Sequence, residues 1–326
     1  MTTPPAHPVH PAPPARPHPE VLVVGSANAD LVTGVERHPA PGETVLGSAL
    51  AVHPGGKGAN QAVAAARLGA ATGLLARIGD DAHGRLLAAS LREAGVATGW
   101  LLTSRAAPTG VALIAVDAGG ANTIVVSPGA NARLTPADVA AAGEALAAAS
   151  VVSLQLEVAL ETVSAAAAAA AAAGTRVVLN ASPPAALPPE VLAACDPLVV
   201  NEHEARLLLA GESGAGGAGG GSGERGGDPA GWADGLRRLG PRSVVVTLGA
   251  GGALAASAEG TAHVPAPAVV AVDSTGAGDA FTGALAWRLA RGDTLADAVR
   301  LAVRVGALTV TRAGAQPSFP TAADLD

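Results

Sequence analysis

From Pro136 to Thr247 the chain alternates helix-like and strand-like runs with a regularity that few architectures accept. A helical pattern at 136–148 precedes an apolar run at 150–154, and one at 158–173 precedes Arg176–Leu179. Helix 189–194 precedes Leu198–Val200, and helices at 202–210 and 230–239 precede Ser243–Thr247. Strands separated by covering helices predict a mostly parallel sheet clothed on both faces. Upstream, Glu20–Gly25 and Leu74–Ile78 read as further strands, and Ala59–Leu68 and Gly84–Ala94 as helices stopped by Gly69 and Gly95. Two hairpin-rich stretches, 31–53 and 101–126, interrupt the alternation. In the second, Val111–Val116 and Thr123–Val126 flank a turn at 117–122. They predict a small β appendage near the carboxyl edge of the sheet.

Composition narrows the function classes. The 326 residues are enough for one large α/β domain or two smaller ones, and at 49% hydrophobic and 14% charged they can bury a large core. Much of the apolar fraction is alanine, which favours helices but contributes little burial per residue. There is no tyrosine and the net charge is −7, which argues against a stacking or basic surface for nucleic acid. An anionic nucleotide would have to be held by local backbone N–H groups and metal ions. Cys195 is the single cysteine, so neither a disulfide framework nor a cysteine metal site is expected, in keeping with a reducing cytosol. Residues 1–19 lack a basic stretch followed by an apolar one and are dense in proline, which predicts a disordered tail and not a signal peptide. The alanine run 165–173 is too short to span a bilayer. The Gly-rich segment 211–230 reads as a flexible surface loop. A phosphate-binding loop is the alternative, but the glycine spacing is diffuse and helices flank it on both sides.

The chemistry concentrates where strands are expected to end. Asp273-Ser274-Thr275-Gly276-Ala277-Gly278-Asp279 lies between a strand-like run, Ala268–Val272, and a helix-like run, Ala280–Ala290. A strand, a Gly-rich turn and a helix aim backbone N–H groups at an anion. A carboxylate beside such a cradle is costly, and Asp279 has a use there if it takes a proton from an alcohol attacking the phosphoryl group held by Gly276, Ala277 and Gly278. Asn28 and Asp30 follow the first strand and either accept polyol hydroxyls or serve a turn. Gly55 and Gly56 open a helix and allow close ligand approach, while Lys57 and Asn60 face the same mouth. Glu157 ends the LQLE strand segment. Asn201 and Glu204 follow another strand, where they suit phosphate oxygens and a hydrated Mg²⁺, or, for Glu204, simply the helix dipole. Thr247, Gly249 and Gly252 form either a plain turn or a flat surface for a nucleotide.

These segments resemble the ribokinase-like family of sugar and nucleoside kinases. The matching stretches are GSANAD (25–30), PGETVLG (41–47), PGGKGANQAVAAARLGA (54–70), TGVALI (109–114), SPGAN (127–131), LQLE (154–157), NEHE (201–204), TLGAGG (247–252), DSTGAGDAFTGAL (273–285) and TRAGAQPSFP (311–320). They run in the family's order from about 20 to 320, and the GSANAD start, Lys57 and Glu157 look more like ribokinases than fructokinases or adenosine kinases. The resemblance implies a three-layer α/β/α kinase domain over 20–322 with a β-sheet lid that often dimerises. It implies ATP-dependent phosphorylation of D-ribose at O5. Asp279 would be the general base, Gly276, Ala277 and Gly278 the anion hole, and Asn28, Asp30, Gly55, Gly56, Lys57, Asn60 and Glu157 the sugar site. Asn201 and Glu204 would serve phosphate and Mg²⁺, and Thr247, Gly249 and Gly252 the nucleotide. An activating K⁺ would be bound by Asp273, Thr275, Thr309, Arg312, Gly314 and Ser318, mostly through backbone oxygens. Val303 stands where many ribokinases carry Asn or His near the adenine, which leaves nucleotide preference open. The alternatives are a kinase for 2-deoxyribose, another pentose or a nucleoside, and an inert sugar-sensing protein on the same fold.

Overall fold

Val21 and Val23 face one hydrophobic core and Leu22 and Val24 the other, so the first strand is apolar on both sides. That is the signature of a strand inside a sheet covered by helices front and back. The computed structural model describes residues 18–213 and 228–325. Its strands are β1 (Val21–Val24), β2 (Asn28–Gly34), β3 (Ala51–Gly55), β4 (Thr72–Gly79), β5 (Leu101–Ser104), β6 (Gly110–Val116) and β7 (Asn122–Ser127). They continue with β8 (Val151–Leu154), β9 (Arg176–Asn180), β10 (Cys195–Asn201), β11 (Val244–Thr247), β12 (Ala253–Ser257) and β13 (Gly260–Val264).

Nine of them form one sheet in the order β13-β12-β11-β10-β9-β8-β1-β4-β5, parallel except for the β12 and β13 edge. One face packs on the helices Lys57–Arg67, Ala82–Glu93, Ala277–Ala290 and Leu295–Thr309. The other packs on helices between Pro136 and Arg238. β1 pairs with β4 on one side and with β8 on the other, so the strand order reverses direction there. Ligands of open α/β sheets bind beyond the carboxyl ends of strands at such a reversal.

The second sheet, β3-β2-β6-β7, stands over that end. Its register places Val52, Leu31, Leu113 and Val125 in one row across all four strands. Val52, Leu113 and Val125 are exposed. Among the described residues, no helix is long and apolar enough to cross a membrane.

Several expectations are corrected. Leu101–Ser104 is an edge strand of the large sheet, pairing with β4, so the second half of the lid begins only at Gly110. Ala268–Val272 is not a strand. Pro265 and Pro267 remove backbone donors ahead of it and Val270 and Val272 are exposed; the sheet ends instead with the β12–β13 hairpin, which the sequence reading did not find. Helix 136–148 breaks at Ala142 into Pro136–Ala141 and Gly143–Ala148, where glycine weakens the helical path. The expected tail at 1–19 lies outside the described residues except for 18 and 19. Of the Gly-rich segment 211–230, residues 214–227 lie outside them, while Gly211–Ser213 end one helix and Pro229 begins the next.

Candidate active site

Asp279 occupies the first turn of helix Ala277–Ala290, buried to 7% exposure. The residue before that helix, Gly276, has φ of 76°, and a Cβ on it would lie 2.9 Å from the Phe319 ring. Only glycine turns the chain into the helix here. The Ala277 N–H donates to the Ser274 carbonyl at 3.2 Å, closing the turn. Two amides meet the Asp279 carboxylate: Asn60 Nδ2 donates to Oδ2 at 2.9 Å and Gln61 Nε2 to Oδ1 at 3.3 Å. Burial pushes the carboxyl above its ordinary range. The Lys57 ammonium and the two amide bonds pull against that shift, and nearby Glu157 adds to it.

Helix Lys57–Arg67 brings Lys57, Asn60 and Gln61 to this point. Its preceding residue, Gly56, has φ of 87°, and a Cβ there would lie 2.6 Å from the Asn28 backbone nitrogen. The GG pair thus lets the helix start against β2. Glu157, just past β8, accepts from Ser26 Oγ at 2.6 Å and from the Lys57 N–H at 3.0 Å, which places a carboxylate on the helix N-terminus. Asn28 Oδ1 accepts from Asn131 Nδ2 at 2.7 Å. Asp30 is raised to about 7, first by burial, then by the negative charges of Glu157 and Asp279. Burial tends to discharge Lys57, but Asp279, Glu157 and Glu204 together outweigh it and hold the ammonium above its usual range. The Lys57 ammonium thus stands among four carboxylates, those of Asp30, Glu157, Glu204 and Asp279.

A cavity of about 230 Å³ opens beside Asp279, lined by Lys57, Asn180, Asn201, Glu204, Thr247 and Ser274 among others. Asn201 and Glu204 form a reciprocal cap: the Glu204 N–H donates to Asn201 Oδ1 and the Asn201 N–H to Glu204 Oε2, both at 2.8 Å. Thr247, Ser274 and Gly278 also line a neighbouring cavity of about 600 Å³, bounded further by Gly249, Gly252, Phe281 and Val303. The larger cavity is mostly aliphatic, the smaller one polar. The pair suits a flat base next to a phosphate chain.

Of the residues expected around a monovalent cation, hydrogen bonds join Asp273, Thr275 and Gly314 across two adjoining segments. Asp273 Oδ1 accepts from the Thr275 N–H at 2.9 Å and hydroxyl at 2.6 Å, and Oδ2 from the Gly314 N–H at 2.8 Å. Burial alone would raise the Asp273 carboxyl, but these bonds hold it below its ordinary range. The hydroxyls of Thr309 and Ser318 donate to backbone carbonyls of Val305 and Ala315, and the Arg312 side chain pairs with Asp324 at 2.7 Å. What these residues could offer an ion is backbone oxygen together with the Asp273 carboxylate and hydroxyl lone pairs, hard oxygen donors of the kind that suit K⁺. Among the described residues, no three His, Cys, Asp or Glu side chains gather into a metal cluster.

The sequence reading missed Gln61, Asn131, Asn180 and Gln316. Asn180 ends β9 at the same edge as the other strand-end residues, and the rule that singled out Asn201 finds it. Gln61 is adjacent to Asn60 within the matching stretch 54–70 but was given no role there. Gln316, in a short 3-10 turn after the last long helix, lies within the matching stretch 311–320 but was given no role there; its Nε2 donates to Asn60 Oδ1 at 3.1 Å.

The model of the pfkB family carbohydrate kinases matches residues 18–322. A ribokinase of Staphylococcus aureus is 38% identical over 303 residues, covering 92% of this chain and 96% of the relative. A deoxyribokinase of Salmonella typhi is 35% identical over 310 residues, covering 93% and 96%. The structure of an Arabidopsis thaliana ribokinase complexed with ribose and ATP superposes with a TM-score of 0.82 at 32% identity, covering 94% of this chain and 97% of the other. With these matches, and with Asp279 buried in a helix-covered sheet domain that carries a second small sheet, the chain belongs to the pfkB family of carbohydrate kinases.

Proposed function

We propose that this chain transfers the γ-phosphoryl group of ATP to O5 of D-ribose, giving D-ribose 5-phosphate and ADP. The observation that carries the reading is the position of Asp279. It is buried within electrostatic reach of the Asp30 and Glu157 carboxylates and lines a polar cavity that adjoins an aliphatic one. Asn28, Asp30, Gly55, Gly56, Lys57, Asn60 and Glu157 hold the sugar. Carboxylates accept hydroxyl hydrogen bonds, so Asp30 and Glu157 fix the ring while O5 approaches Asp279. Gly276, Ala277 and Gly278 supply the helix N-terminus on which the transferring phosphoryl group rests. Asp279 accepts the O5 proton as the new P–O bond forms, and the β–γ bridging oxygen leaves with ADP. Positioning and charge stabilisation do most of the work in phosphoryl transfer.

Asn201 and Glu204 are reached by the phosphate chain, and Thr247, Gly249 and Gly252 border the nucleotide. Mg²⁺ arriving with ATP supplies neutralisation of the phosphate oxygens. A K⁺ ion held by backbone oxygens of the Asp273, Thr275, Thr309, Arg312, Gly314 and Ser318 segments would set the shape of the turn before Asp279. The lid sheet pairs with that of a second copy through its exposed apolar row and excludes water from the sugar.

The similarity to a deoxyribokinase supports a second reading, in which 2-deoxyribose is the preferred sugar. One hydroxyl contact decides between the two. ADP release measured over a panel of ribose, 2-deoxyribose, other pentoses and nucleosides tests both. Highest kcat/KM with ribose supports the first reading, and preference for 2-deoxyribose replaces it with the second. No sugar-dependent ADP release at all sinks both.

A further inference from the structure

Each of the two amides on the Asp279 carboxylate is itself fixed from behind. An amide has a donor end and an acceptor end of nearly equal shape, so a half-turn would set oxygen against the carboxylate instead of nitrogen. For Gln61 the orientation is fixed by two donors on its Oε1, Ser153 Oγ at 2.9 Å and Gln155 Nε2 at 2.6 Å. For Asn60 it is fixed by one, Gln316 Nε2, which donates to Asn60 Oδ1 at 3.1 Å. Gln316 is oriented in turn: Ser90 Oγ donates to its Oε1 at 3.0 Å, and Arg67 donates to its backbone carbonyl. The side chain is 2% exposed, so water is not on hand to replace a lost bond.

We propose that Gln316 is a positioning residue for phosphoryl transfer: its bond to Asn60 keeps the Asn60 amino group, and not its oxygen, on Asp279. The proposal rests on the reading of Asp279 as the base. A carboxylate that accepts N–H bonds on both oxygens is favoured as the anion, the form that takes the proton. Burial opposes that form strongly at Asp279. The charged groups facing Asp279 are Lys57, which favours ionisation, and Glu157 and Asp30, which oppose it, while Glu204 acts on Lys57. Gln316 is uncharged, so replacing it by another neutral residue leaves that set intact and alters the hold on Asn60. Freed, Asn60 is no longer held to that orientation: the half-turn that sets its oxygen against a protonated carboxyl becomes available, and the N–H bond that favours the anion weakens.

The test is the pH profile of kcat for wild type, Gln316→Met and Gln316→Leu with ribose and ATP. Both replacements are neutral and of similar bulk, and neither can donate to Asn60 Oδ1. In both variants kcat at pH 7 is expected to fall roughly tenfold, with the acid limb moved up by about one unit and KM for ATP within about twofold of wild type. Wild-type kcat and acid limb in both variants overturn the proposal. So does a loss of kcat with an unmoved limb and a comparable rise in KM for ATP, which marks a merely structural role. If neither variant folds, Ser90→Ala, which removes the donor that orients Gln316, is expected to move the limb the same way by less, and an unmoved limb there overturns the proposal. A wild type without sugar-dependent ADP release sinks the reading of the site itself. An active wild type with unmoved limbs in the variants sinks only the role of Gln316.

Discussion

Asn60 Nδ2 donates to Asp279 Oδ2 across 2.9 Å, joining the first turns of two helices that lie 219 residues apart in sequence. The bond fixes the candidate base at the wall of the polar cavity that Lys57 also lines.

Asp279→Asn removes the proton acceptor while keeping the side-chain shape. Its kcat is expected to fall by about 10²–10⁴, the usual contribution of a general base, with ribose affinity by calorimetry close to wild type. Near-normal turnover would rule Asp279 out as the base.

Glu157→Ala deletes a carboxylate that also receives the Lys57 N–H and the Ser26 hydroxyl. KM for the sugar is expected to rise roughly tenfold or more, the scale of a lost hydrogen bond to a charged group, and KM for ATP by much less. Steady-state kinetics with each substrate varied in turn decides it; equal rises in both constants would deny Glu157 a sugar role.

Asp30 is raised to about 7, chiefly by burial. For a carboxyl whose folded pKa exceeds its unfolded value, the folded state holds the proton more tightly. Its contribution to stability is therefore full below the unfolded pKa near 4 and is lost as pH rises toward 7. The sugar-free protein is expected to lose Tm between about pH 4 and pH 7 from this group. Asp30→Asn flattens that slope. A thermal melt series with parallel slopes for wild type and variant would refute the assignment.

Val52, Leu113 and Val125 lie in register on one face of the lid and are exposed at 38%, 51% and 60%. Leu113→Glu with Val125→Glu is expected to convert a dimer to a monomer in light scattering, without unfolding the large sheet. A monomeric wild type, or a variant that stays dimeric, would place the self-association elsewhere or nowhere.

Asp273 holds the turn before Asp279 against the 309–318 segment through the Thr275 and Gly314 bonds. Asp273→Ala is expected to reduce kcat and weaken its dependence on K⁺, read from rates titrated with KCl against choline chloride. An unchanged K⁺ response would remove this segment from the cation site.

Much of this was legible in the sequence because it depends on local pattern. Buried parallel strands are apolar on both faces, so β1, β8, β10 and β11 stand out as short runs, and the polar residues just beyond them, Asn28, Glu157, Asn201 and Thr247, follow from that placement. Asp279 was legible because a carboxylate in a Gly-rich helix start is anomalous. The β12–β13 hairpin was not, since the run ALAAS is alanine-rich and lacks the β-branched residues that mark a strand. Ala268–Val272 misled for the opposite reason: its valines suggest a strand, yet Pro265 and Pro267 precede it and Val270 and Val272 face solvent.

The sequence by itself determined the layered α/β architecture, the chain order of the polar strand ends and the identity of the candidate base. Each is written in neighbouring residues, through periodicity, glycine placement and charge. Only the tertiary structure decided which amides hold that base, that Gln61 and Gln316 belong to the site, and that Leu101–Ser104 pairs with β4 and not with the lid. These are contacts between residues far apart along the chain, and the sequence holds no local record of a hydrogen bond that forms only when the sheet and its helices have closed around it.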